Sequence, residues 1–167
     1  MRHLFTILAL SLITVKGLQA QSLKDTSECL QISGKIENIA GISESDNTYT
    51  VELIYYNTVI DSITRKNNRS FNFILNKNSM YTIRISKKGY IPRLVSIDTS
   101  LDNDDDNLYR FHFDTELLKD EMKEIFDAEA LEFPITIVSF NKSQEVFHFN
   151  KEYTMNIKHS LYSTNRR

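Results

Sequence analysis

Only one cysteine, Cys29, occurs in the 167 residues, so no disulfide can form within the chain. Two prolines and four glycines are too few for a collagen-like or Pro/Gly-rich disordered chain. A basic excess is missing as well: 20 Lys and Arg face 22 Asp and Glu, a formal net charge of −2. Nucleic-acid binding draws its affinity from neutralised phosphates and is not expected here. Beyond Val15 no apolar run approaches the roughly 20 residues of a membrane-spanning helix, so no membrane span is expected. There is no phosphate-cradling glycine loop and no glycine-flanked serine elbow of the hydrolase kind.

What the chain does have is enough apolar side chain to close a core, 41% hydrophobic with 11% aromatic. Met1-Arg2-His3 is a short basic start, followed by an almost unbroken apolar run from Leu4 to Val15. As a helix that run spans about 18 Å, against a hydrocarbon core of about 30 Å. Lys16 then breaks it, and Ala20 offers a small residue for cleavage before Gln21. These features mark residues 1–20 as a secretory signal peptide. The expected destination is the periplasm, the outer-membrane surface or the extracellular space. Arg2 and Lys16 belong to this leader while every acid lies beyond it, so the exported part is the more acidic. Cys29 follows Ser27-Glu28 far downstream of the apolar run, which does not suit lipid attachment; it reads as a buried structural thiol.

The remaining sequence reads as strands separated by Asn-, Ser- and Asp-rich turns. Tyr49, Val51, Leu53 and Tyr55 alternate with mostly polar neighbours, the period of a half-buried strand. A turn at Asn57-Thr58 leads to a looser strand from Val59 to Ile63, and Lys66-Asn67-Asn68-Arg69 reads as a hairpin turn. Phe71, Phe73 and Leu75 alternate next, then Tyr81, Ile83 and Ile85, and these two segments are expected to pair over one core. Ile91 to Ile97 is a further strand, placed at an edge because Pro92 cannot donate to a ladder. Strands at this spacing predict a mainly β, antiparallel sandwich over residues 27–99. The acidic stretch from Ser100 to Asn107 separates it from a C-terminal extension, residues 107–162, expected to pack on or near the sandwich. There, Leu108 to Phe113 reads as a strand, and the spacing of Leu118, Met122, Ile125 and Phe126 predicts a helix over 115–130, capped near Asp114. Ile135 to Phe140 and Glu145 to Phe149 form a final hairpin around Asn141-Lys142-Ser143-Gln144. Behind Asn150 the pattern fits a short helix through Tyr153, Ile157 and Leu161, or a strand through Tyr153, Met155 and Ile157.

From Ile32 to Ile97 the order of elements resembles the carboxypeptidase regulatory-like, or transthyretin-like, sandwich. The resemblance is carried by Ile32-Ser33-Gly34-Lys35-Ile36, Tyr49-Thr50-Val51-Glu52-Leu53, Ser70-Phe71-Asn72-Phe73, and the strand Tyr81 to Ser86 followed by Gly89-Tyr90. The family usually has a glycine before the phenylalanine strand, where this chain has Asn68-Arg69. Phe133 to Val138 and Phe147 to Thr154 also resemble segments of uncharacterised secreted bacterial proteins that carry this sandwich. The resemblance implies a fold and an accessory or interaction role, since the family's sandwich is not itself the peptidase.

Several constellations could carry chemistry. Asp102, Asp104 and Asp106 have the alternate spacing of a calcium loop, but Asn107 and Phe113 stand where such a loop needs glycine and a bidentate acid. A solvated acidic loop is the expectation, and no metal or other cofactor is expected. His112 and His148 each lie between phenylalanines and read as solvent-facing histidines opposite a buried aromatic pair; the alternative is that paired strands bring them together, with His159 as a third zinc ligand. Asp120, Glu121, Glu124 and Asp127 crowd the expected helix and read as its solvated face. Tyr55, Tyr56, Tyr81 and Tyr90 read mostly as core or rim rings of a sandwich; the alternative is sugar or protein contacts, which suit their apolar faces and hydroxyls. The leading expectation is a non-enzymatic exported protein that acts through contacts with a protein partner in the cell envelope. A glycan- or small-ligand-binding module is the alternative, and a hydrolase with a site assembled from separated acids is a remote one.

Overall fold

The computed structural model describes residues 27–36, 48–66, 69–102 and 105–162. The leader, residues 1–20, and its cleavage site lie outside the described residues, as do Asn67, Asn68 and Asp104. Among the described residues nine strands form two sheets: β1 (Glu28–Ile36), β2 (Thr48–Tyr55), β3 (Thr58–Lys66), β4 (Phe71–Asn76), β5 (Met80–Ser86), β6 (Arg93–Asp98), β7 (Tyr109–Thr115), β8 (Thr136–Asn141) and β9 (Val146–Phe149). One sheet has the order β4-β1-β7, the other β3-β2-β5-β6-β8-β9. An α-helix, α1 (Lys151–Leu161), follows β9. The architecture is a mainly β sandwich.

Alternation decides what lies between the sheets. Leu30 and Ile32 of β1, Phe71 and Phe73 of β4, and Phe113 of β7 meet Val51, Ile83, Val95 and Val138 from the other sheet in one core. Phe71, Phe73, Tyr81, Ile83 and Ile85 share that core as expected, but they face one another across the sandwich and do not pair. The connection through Lys66 and Arg69 therefore crosses between sheets and is no hairpin. Gly34 sits where β1 meets β7; an added Cβ would come within 2.5 Å of the Phe113 carbonyl oxygen and 2.8 Å of Phe71 Cζ. That contact requires a residue without a side chain.

Other expectations change. Two strand pairs, β1–β7 and β6–β8, run parallel, so the sandwich is mixed and not wholly antiparallel. The β2–β3 turn lies one residue earlier than read, at Tyr56-Asn57, both with positive φ of 46° and 59°. Strand β6 is interior, between β5 and β8. Pro92 precedes it, so its missing N–H costs the ladder nothing. The segment after the acidic loop supplies β7 to one sheet and β8 and β9 to the other, and Phe113, Leu117, Val138 and Phe147 complete the core.

The helix expected over 115–130 does not form. Thr115 ends β7, paired with Ile36, and only two 3₁₀ turns follow, Asp120–Ile125 and Ala130–Glu132. The cause is tertiary. Ile91 N–H donates to Leu118 O at 2.8 Å, and Asp120 N–H donates to Gly89 O at 3.0 Å. Backbone groups that an α-helix would use internally are engaged by the neighbouring segment, and propensity yields. Behind Asn150 the helical alternative holds: its side chain accepts the Tyr153 N–H at 3.0 Å as an N-cap.

Candidate functional site

The structure disperses the constellations read from sequence. Asp102 pairs with Lys142 Nζ at 2.6 Å, and Asp106 accepts from Lys77 Nζ at 3.1 Å, the lysine itself being buried. Asp105, which the reading passed over, accepts from the Tyr109 hydroxyl at 2.7 Å, and this bond holds its carboxyl below the ordinary value. The described carboxylates of this loop each turn to a different partner. Among the described residues no group of three or more His, Cys, Asp or Glu is placed to hold a metal ion.

His112 and His148 do not meet. Strand β7 belongs to one sheet and β9 to the other, with the phenylalanines between them: Phe111 and Phe149 meet edge to face, 5.1 Å between ring centroids. The imidazoles point to opposite outer faces. His112 bonds Ser33 Oγ and Asp114 Oδ1, each at 3.0 Å, and His148 Nδ1 lies 2.9 Å from Phe149 O. His159 is exposed on α1. Of the acids in the expected helix, Asp120 pairs with Lys123 at 3.1 Å and Asp127 accepts the Ala130 N–H at 3.0 Å, while Glu121 and Glu124 are exposed. Tyr55 stacks on Tyr81 at 5.2 Å with the exposed Tyr56 beside it, and Tyr90 lies apart under Lys87 Nζ, 4.4 Å above its ring.

A site does form where no motif pointed. Helix α1 closes back over β8, tied by the Thr136 and Thr154 hydroxyls at 2.7 Å and by Asp127 N–H to Leu161 O at 3.1 Å. A small second core of Ile91, Phe126, Ala130 and Leu161 holds the irregular segment against the helix. Between these elements and the end of the sandwich is a cleft of about 880 Å³. Val95, Phe113, Phe126 and Leu161 form its buried floor, and Phe149, Met155 and Tyr162 stand exposed at its rim.

Arg93 enters this apolar setting from the first position of β6. It shares the parity of Val95 and Ile97, both fully buried, so its side chain starts inward. Its Nε is buried without a hydrogen-bond partner among the described residues. Burial pulls the guanidinium below its ordinary value, and neighbouring Tyr162 and Glu116 offset part of that shift. An arginine in register with two core aliphatics is the one signal in the sequence that marks this place. Met155 and Tyr162 carry none, because their rim position follows from how α1 docks.

Compared with protein-family models and with curated proteins, the chain matches none. No helix among the described residues is long and apolar enough to cross a membrane.

Proposed function

We propose that the protein is an exported, non-enzymatic binding protein whose cleft takes a small, largely apolar ligand. The cleft carries this reading: about 880 Å³ lies within the usual range of ligand sites, and three large apolar side chains are left exposed around its mouth. Export rests on the leader, and the transthyretin-like resemblance favours an accessory role over catalysis. A neutral apolar fluorophore such as N-phenyl-naphthylamine should bind the full chain saturably, one per protein. Met155→Trp, at an exposed rim position, should weaken that binding while leaving the melting temperature unchanged. Unsaturable binding, or binding indifferent to the rim, would contradict the proposal.

A second reading keeps the protein partner in the envelope. Among the described residues, strand β3 is a sheet edge paired only with β2, and Val59 and Ile60 are exposed along it. An open edge with apolar side chains suits strand addition by a partner. Recovery of one specific envelope protein, lost with Ile60→Lys, would support this reading.

A further inference from the structure

Resting on the reading of the cleft as a ligand site, we infer that its ligand is a single-chain amphiphile with an anionic head, held at Arg93. The cleft is apolar along its floor and rim, yet it contains a cation that Glu116 favours only through space, with no ion pair between them among the described residues. The Nε of Arg93 is shielded from water and has no hydrogen-bond partner among the described residues. An unsatisfied buried donor is costly, more so when charged, and an arriving anion removes that cost. The carboxylates nearby do not serve. Asp114 is engaged by His112 at 3.0 Å and Lys35 at 3.6 Å, and Glu116 lines the cleft without forming an ion pair.

The shape of the site suits the rest of such a molecule. Arg93 lines the same cleft as Val95 and Phe113, so a head group paired there can lay its tail along the apolar floor. Lys151 and Lys158 of α1 also line the cleft and add positive charge. The planar guanidinium fork matches a carboxylate or a phosphate, and either head on an alkyl chain satisfies the same chemistry. A neutral apolar ligand would leave the Arg93 donor unpaired.

Calorimetric titration of the full chain tests this with octanoate, decanoate, dodecanoate, dodecanol and dodecanoyl lysophosphatidylglycerol, all below their micellar range. The expected result is saturable binding that tightens about fourfold per added methylene. Dodecanoate or the lysophospholipid should bind at least tenfold more tightly than dodecanol, and whichever is tighter names the source of the head group. Arg93→Met should weaken dodecanoate about 10- to 100-fold and leave dodecanol unchanged, with Arg93→Lys in between. Equal affinity for dodecanoate and dodecanol in the wild-type chain would overturn the anionic head while leaving an apolar ligand site. Binding of none of these probes would overturn the ligand site itself.

Discussion

The core between the sheets and the cluster beside α1 use the same kinds of side chain, yet one closes and the other stays open. Twenty buried residues fill the first, nearly all from strands whose period of two commits every second side chain inward. Four buried residues make the second, held by two 3₁₀ turns and one helix. Irregular backbone presents no continuous face, so α1 docks at a few points and leaves space at the end of the sandwich. Regular alternation yields a filled interior. A short helix resting on irregular turns yields a cleft, and there an arginine Nε is left without a hydrogen bond among the described residues.

The sharpest way to break this comparison is to empty a site on each side. Phe73→Ala removes a packed ring between the sheets and should cost about 3–5 kcal/mol, read as a lower melting temperature and denaturant midpoint. An unchanged melting temperature would show that ring to be dispensable. Leu161→Ala in the smaller cluster should cost only about 2 kcal/mol, since a site beside an open cleft can relax into it. Equal costs would erase the distinction.

Smaller changes sharpen it. Asn150→Ala removes the side-chain acceptor that starts α1 and should cost about 1 kcal/mol. Fluorophore binding in the cleft should weaken with it, because the helix forms one wall. Tyr109→Phe should have the smallest effect. The hydrogen bond from Tyr109 depresses the Asp105 pKa in the folded state, so its stabilisation is present above the unfolded pKa and fades as pH falls through the folded one. Without the hydroxyl, Asp105 should titrate nearer its ordinary range by NMR, with little change in stability because the pair is only partly buried.

The strands were legible because their inward residues alternate, and Tyr49 to Leu53, Phe71 to Leu75 and Tyr81 to Ile85 carry that period without interruption. Which strands pair was not legible. Phe71 and Tyr81 lie on neighbouring strands in sequence, but β1 sits beside β4, and no local feature announces that long-range choice. The missing helix failed for a related reason: Leu118, Met122 and Phe126 keep helical spacing, but contacts from Gly89 and Ile91 take the backbone groups such a helix needs. The zinc alternative for His112 and His148 depended on pairing and fell with it, whereas their outward orientation followed from alternation alone. The cleft was invisible because it belongs to the docking of α1, and only the parity of Arg93 with Val95 pointed there.

Native-state hydrogen exchange measures the comparison most directly. Amides of β1 and β5 should exchange only on global unfolding, whereas those of α1 and the two 3₁₀ turns should open locally at lower free energy. Dodecanoate should slow the second group while leaving local opening in the sandwich unchanged. Uniform protection across both regions, with no selective response of α1 to dodecanoate, would contradict the account.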